Sequence, residues 1–172
     1  SRLTMARDNS LTVDGLMETR RSSFVGANGL TPVDTKQGFY APPEQLQEWV
    51  KVERRFFLEE TDPRLIPRGL LFDGPPGTGK TSGAKWLAEQ IGVPLYRMDI
   101  GGTKSKWVGE SEGKLMANLS RIDNEAPAVV LLDEVEKIFS KDHSDTSGTT
   151  TSMLSQLLWW LAERRSRILV VM

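Results

Sequence analysis

One run of residues has the types and spacing needed to hold a phosphate group. It places three glycines, two prolines and two threonines around a single lysine. Glycines let a backbone turn sharply and bring its N–H groups close to an anion. The lysine adds a point charge, and a threonine hydroxyl can ligate magnesium. The sequence therefore predicts a phosphate-binding loop made of Gly74, Pro75, Pro76, Gly77, Thr78, Gly79, Lys80 and Thr81, with Ser82 directly after it.

The residues on either side of this loop predict a strand before it and a helix after it. Residues 69–73 form a short, mainly apolar run, as in a buried strand. Ala84, Leu87, Ala88 and Ile91 recur at helical spacing, and Gly92 supplies a stop. The positive end of that helix would face a bound phosphate, and this context distinguishes the loop from an ordinary glycine-rich turn.

A second chemical feature follows the most apolar run of the chain. Residues 128–132 are all apolar, as expected of a strand covered on both faces, and Asp133 and Glu134 come next. Beside a phosphate loop, Asp133 is predicted to hold magnesium directly or through water. Glu134 is predicted to orient or deprotonate the attacking water. The alternative is a polar helix start, but the upstream loop favours the chemical interpretation.

Composition bounds the remaining possibilities. The 172 residues suggest one domain with a sizeable core, and the net charge of −1 disfavours a bulk nucleic-acid binder. Cysteine is absent and His143 is the only histidine, so thiolate, zinc and histidine-triad chemistry have almost no basis. No apolar run is long enough to span a bilayer, and a reducing cytoplasmic location fits the absence of cysteine.

The chain divides into two predicted parts. Residues 1–40 lack a sustained period and are predicted to be a weakly structured arm, either mobile or, toward its end, a strap over the nucleotide base or a neighbouring subunit. Residues 41–172 form the predicted nucleotide-binding part, which begins with a helix from Pro42-Pro43-Glu44 to about Glu60. Further strands are predicted at 93–100 and from Ile168.

Three motifs together resemble the AAA branch of the AAA+ ATPase family. Residues 74–81 resemble its proline-containing Walker A motif, and Val129 to Glu134 resemble its Walker B motif. Residues 106–112 resemble its first pore loop, in which Trp107 lies among polar residues and glycines. A buried core position is the alternative for Trp107, although its polar neighbours argue against burial.

The resemblance implies an α/β fold, a P-loop NTPase three-layer α/β/α sandwich with a parallel sheet. It also implies ATP and Mg²⁺ as cofactors, self-association into a ring that is usually hexameric, and a polypeptide substrate. Lys80 and Glu134 would be catalytic, Thr81 and Asp133 would hold the metal, and Lys106, Trp107 and Val108 would grip the substrate. The expected function is an ATP-hydrolysing protein remodeller or unfoldase without a membrane segment.

One departure from the family pattern leaves other functions open. The chain ends at Met172, before the positions where the family places a sensor residue, an arginine finger and a helical lid, so a truncated core with weak or no turnover is expected. A nucleotide-switched assembly protein is one alternative. A nucleic-acid motor or clamp loader is another, which the lack of a basic patch disfavours.

Overall fold

A five-stranded sheet with helices on both faces makes up the fold. The computed structural model describes residues 30–36, 38–75, 77–99, 108–133, 135 and 149–172. Within them, the elements in chain order are β1 (Leu30–Val33), α1 (Glu44–Glu59), β2 (Gly69–Leu70), α2 (Lys80–Ile91), β3 (Leu95–Asp99), α3 (Val108–Asn124), β4 (Ala128–Asp133), α4 (Thr149–Glu163) and β5 (Ile168–Val171). Among these helices, none combines the length and apolarity needed to cross a bilayer.

The sheet order brings the predicted phosphate loop and Asp133 to the same edge of the sheet, the one formed by the carboxyl ends of the parallel strands. The strands lie in the order β1-β3-β4-β5-β2, and β5 therefore separates β2 from β4. Strands β2, β3, β4 and β5 pair in parallel, as expected for buried strands joined through helices. The phosphate loop, which follows β2, and Asp133, which ends β4, consequently lie at the same edge of the sheet, where the parallel strands have their carboxyl ends.

Alternate residues of each strand bury against different helix layers, which accounts for the sandwich. On one face, Val129 and Leu131 pack with α1 and α2. On the other face, Val130 and Leu132 pack with α3 and α4. This period of two follows from the pleat of a strand. The predicted three-layer α/β/α sandwich is confirmed, with the qualification that the sheet is mixed rather than wholly parallel.

The mixed character comes from β1, which lies inside the segment predicted to be weakly structured. Residues 30–33 instead pair antiparallel with β3, with Leu30 opposite Met98 and Val33 opposite Leu95. Leu30 is buried in the core on the α3 and α4 face. The pairing satisfies backbone groups at the β3 edge, and Pro32 is tolerated because β1 is itself an edge strand. The expectation of weak structure is therefore wrong for residues 30–33.

Arginine side chains join the helices at the opposite edge of the sheet. Arg68, just before β2, donates to the carbonyl oxygens of Leu161 and Ala162 at the end of α4. Arg167, just before β5, donates to Phe57 O at 2.8 Å and to Glu60 O at the end of α1. Guanidinium groups satisfy carbonyls that a helix end leaves unpaired and suit its negative dipole. These contacts fix α1 and α4 relative to the sheet.

Arg164 is the buried member of this arginine group. It donates to Arg68 O, and its guanidinium lies 4.6 Å from the centroid of the Trp160 ring. Burial lowers the pKa of Arg164 to about 10, the positive charge of Arg68 adds to that effect, and Asp123 opposes it. Trp160 is a core residue, whereas Trp159 is exposed.

Candidate nucleotide-binding site

The phosphate loop is closed by its own hydrogen bonds. The Thr78 hydroxyl donates to Pro75 O at 2.8 Å, and the Thr78 amide approaches the same oxygen at 3.4 Å. Gly77 and Gly79 have φ values of 85° and 87°, a left-handed conformation that glycine adopts without steric cost. The short hydroxyl contact and the two glycines together give the chain the tight turn that a phosphate cradle requires.

Helix α2 begins directly at this loop. Gly79 is its N-cap residue and provides no side-chain cap, and the bond from Gly83 N to Gly79 O is 2.8 Å long. The N–H groups of a helix's first turn and the positive end of its dipole favour an anion at this position. Lys80 and Thr81, the first two residues of α2, are both exposed, so an ammonium and a hydroxyl are accessible there.

Asp133 is the last residue of β4 and lies at the same edge of the sheet. It is opposite Asp99 in the pairing of β3 with β4, and its side chain is 37% exposed. The Arg97 Nη2 atom forms a short ion pair with the Asp133 Oδ2 atom. The predicted metal ligand therefore has a cationic partner on the neighbouring strand, which the sequence analysis did not identify.

An apolar pocket of about 400 Å³ opens beside the loop. One wall is the loop itself, with Thr78, Gly79 and Lys80, and Asp73 lies at its start. The size and the mixture of aromatic walls with few polar groups are typical of small-molecule sites. The remaining wall residues come from the segment before α1, from α1 and from the end of β2: Tyr40, Pro43, Gln45, Leu46, Trp49, Leu70, Leu71 and Phe72.

Close packing around Gly83 positions two of these aromatic rings. A Cβ atom added to Gly83 would lie 2.9 Å from Phe72 Cε2 and 3.1 Å from Tyr40 Oη. The absence of a side chain on this residue of α2 therefore lets both rings approach the helix. Tyr40 also reaches the loop, because its Cε2 atom would lie 3.5 Å from a Cβ on Gly79. The segment before α1 is thus folded against the phosphate loop.

The predicted site residues divide into those the structure brings together and those it does not describe. Gly74, Pro75, Gly77, Thr78, Gly79, Lys80, Thr81 and Ser82 form the loop and the first turn of α2, and Asp133 lies at the same sheet edge. Four predicted residues, Pro76, Lys106, Trp107 and Glu134, lie outside the described residues. Val108 is the first residue of α3.

The sequence did not identify four residues of the site: the three aromatic residues of the pocket wall and the arginine that pairs with Asp133. Trp49 falls within the helix predicted from Pro42 to about Glu60, and Tyr40 is the last residue of the predicted arm. Phe72 is read as strand, and Arg97 has no motif around it. The possible strap over a nucleotide base was the only indication, and it pointed to the segment that contains Tyr40.

The donor set fits magnesium bound together with a nucleotide. A hydroxyl at Thr81 and a carboxylate at Asp133 lie at the same edge of the sheet, and oxygen ligands are those that Mg²⁺ prefers. Among the described residues, no three histidine, cysteine or acidic side chains gather into a metal site. Magnesium usually receives many of its ligands from phosphate oxygens and water rather than from the protein alone.

The fold and the loop define a P-loop NTPase core, and comparison with known proteins gives the family. Residues 70–172 match the family described as ATPase family associated with various cellular activities (AAA). The chain belongs to this family.

Several relatives share parts of the chain. The chain is 32% identical over 142 residues to an uncharacterized AAA domain-containing protein, ycf46, of Trieres chinensis, covering 81% of this chain and 29% of that protein. It is 36% identical over 109 residues to human Fidgetin-like protein 1, covering 61% of this chain and 16% of that protein. The chain thus spans less than a third of the length of these relatives.

A solved structure is similar in fold. The crystal structure of the FIGL-1 AAA domain superimposes with a TM-score of 0.63 at 25% sequence identity. The match covers 88% of this chain and 52% of that chain. The sandwich described above is therefore the fold of an AAA domain.

Proposed function

We propose that this chain is the ATP-binding and ATP-hydrolysing part of a ring-forming protein remodeller. The observation that carries the proposal is the closed phosphate loop at the N-terminus of α2, on the same sheet edge as Asp133. Membership in the AAA family supports nucleotide binding with a divalent metal. Hydrolysis, ring formation and a polypeptide substrate are the parts of the proposal that experiments test.

The residues of the site have separable roles in this proposal. The loop amides and the Lys80 ammonium bind phosphate oxygens and offset their negative charge. Thr81 and Asp133 would hold magnesium, which when bound neutralises charge on the phosphates. Glu134 would orient the attacking water and accept its proton. Lys106, Trp107 and Val108 would contact the polypeptide, for which an aromatic ring offers a large contact area that tolerates many sequences.

The apolar pocket is the proposed site of the nucleotide base. It shares Gly79 and Lys80 with the phosphate loop, so a ligand held at the loop would extend directly into it. Its aromatic walls, Tyr40, Trp49 and Phe72, suit a flat ring system, because aromatic rings pair favourably in stacked or edge-on arrangements. This assigns a role to the segment before α1, which would cover the base as a strap.

Nucleotide binding is tested with Lys80→Ala against Lys85→Ala. Both lysines lie on α2, but Lys80 stands at the phosphate loop and Lys85 lies five residues further along. Loss of the charge at the phosphates is expected to abolish binding in Lys80→Ala and to leave Lys85→Ala close to the wild type. Binding can be followed by the fluorescence of a labelled ADP analogue. Tight binding retained by Lys80→Ala would refute the assignment of the loop.

Hydrolysis and self-association are tested together by measuring ATP turnover over a wide range of protein concentrations. Glu134→Gln is the blank, because it should bind ATP without turning it over. A specific rate that rises steeply with concentration is expected if subunits complete each other's sites. Nucleotide binding without turnover at any concentration would contradict hydrolysis by this chain and favour a nucleotide-switched assembly protein.

A further inference from the structure

The ion pair between Arg97 and Asp133 lies within the candidate site but has no part in the roles proposed above. Arg97 is on β3, opposite Leu131, so its side chain shares a face of the sheet with Leu131 and with Asp133 two residues further on. The pair is therefore a diagonal cross-strand contact, which long side chains can make. The same face is covered by α2, the helix that begins at the phosphate loop.

The Arg97 guanidinium and a bound magnesium ion would compete for the Asp133 carboxylate. The Arg97 guanidinium carries a positive charge, as a magnesium ion does. A metal ion held through Asp133 would bring a second positive charge to the carboxylate that the guanidinium contacts, and like charges repel. Arg97 is about half exposed and has a long, flexible side chain, so it can leave the carboxylate at a small cost.

We propose that Arg97 holds the Asp133 carboxylate while the site contains no metal and thereby lowers the dependence of nucleotide binding on magnesium. The inference rests on the proposed function, since it concerns the metal end of the same site. Arg97 is a positioning residue in this account, because it acts through Asp133. Its removal would take this competing cation away from the carboxylate and would favour the metal-bound nucleotide over the metal-free one.

The size of the effect follows from the exposure of the pair. Ion pairs between exposed side chains contribute little, because water screens them and two side chains lose freedom. Loss of such an ion pair therefore changes the binding constant of a ligand that competes with it by about two- to fivefold. The quantity to measure is the magnesium enhancement, defined as the Kd of a fluorescent ADP analogue in EDTA divided by its Kd in saturating MgCl₂.

The experiment compares Arg97→Gln with the wild type in these two conditions. The magnesium enhancement is expected to rise about two- to fivefold in Arg97→Gln. Arg97→Lys keeps the positive charge and should remain near the wild type. Arg64→Gln is the matched control, because Arg64 forms an exposed ion pair with Asp62 in the turn before β2, at the other edge of the sheet. Circular dichroism checks that each variant is folded.

A double variant shows whether the effect passes through Asp133. Asp133→Asn removes the contested carboxylate, so adding Arg97→Gln to it should leave the magnesium enhancement unchanged. An enhancement in Arg97→Gln alone that is equal to or smaller than that of the wild type overturns the inference. Failure of the wild type to bind the ADP analogue in either condition would instead refute the proposed function, so the two failures are distinguishable.

Discussion

Gly83→Ala is the substitution whose effect can be worked out most directly from the structure. Gly83 is buried in the first turns of α2, between the aromatic rings of Phe72 and Tyr40. The new methyl group would lie 2.9 Å from Phe72 Cε2 and 3.1 Å from Tyr40 Oη, both closer than ordinary contact. One or both rings must therefore move, and both are walls of the proposed base pocket.

Two opposing terms set the expected change in stability. Alanine has a higher helix propensity than glycine, which favours the variant by about 1 kcal/mol. Overpacking a close-packed site costs about 1–3 kcal/mol. The net effect is a loss of roughly 0–2 kcal/mol, which corresponds to a fall in melting temperature of about 2–4 °C for each kcal/mol in a chain of this size.

The assay combines thermal unfolding with nucleotide titration, and the chain offers a matched control. Gly113 lies in α3, and a Cβ atom added to it would meet nothing within 4 Å. Gly113→Ala therefore gains the helix propensity without overpacking and is expected to be more stable than the wild type by about 0.5–1 kcal/mol. Gly83→Ala should instead lose stability and bind nucleotide more weakly, because the displaced rings narrow the pocket.

A second substitution tests whether crowding against the Phe72 ring causes the loss of stability in Gly83→Ala. Phe72→Leu removes the ring whose Cε2 atom is closest to Gly83, so Gly83→Ala should cost less in the Phe72→Leu background than in the wild type. If Gly83→Ala raises the melting temperature as much as Gly113→Ala does and leaves nucleotide affinity unchanged, the rings do not pack against α2 as described.

Two further predictions concern a buried charge and the pore loop. Burial lowers the pKa of Arg164 to about 10, below its value in the unfolded chain, so in the window above about pH 10 the folded protein binds fewer protons than the unfolded chain. The free energy of unfolding of the wild type should therefore rise relative to that of Arg164→Met as the pH increases through this window, and the difference should be constant below about pH 9; urea unfolding of both proteins checks this. Trp107→Ala should abolish processing of an unfolded polypeptide while preserving nucleotide binding and assembly, and a variant that still processes substrate would contradict the pore-loop assignment.

Local patterns were sufficient to predict most elements of the fold. The phosphate loop lies between a strand and a helix as expected, and α2 ends at Gly92, which has a φ of 84° and donates to Ala88 O. The apolar run of β4 predicted a strand buried on both faces, and residues 128–132 are all buried. These predictions succeed because the turn, the helix stop and the burial of each strand are encoded within a few consecutive residues.

Contacts between distant segments could not be predicted in this way. Strand β1 forms only because the edge of β3 is available to it, and a segment with a central proline gives no strand pattern by itself. Tyr40 and Phe72 meet at Gly83 through the packing of three separate segments. Arg68 and Arg167 reach helix ends that lie more than 90 residues away in sequence.

The sequence by itself determined the proposed chemistry of the site, because the spacing of glycines, lysine and threonine in one loop and the acidic pair after one apolar run predict phosphate and magnesium ligands. The tertiary structure decided what surrounds that chemistry. Sheet order places Arg97 beside Asp133, and the packing of α1 and of the segment before it places Trp49 and Tyr40 around the pocket beside the loop. The physical reason is that an ion pair across two strands and a pocket wall shared by several segments depend on which distant residues the core packs together.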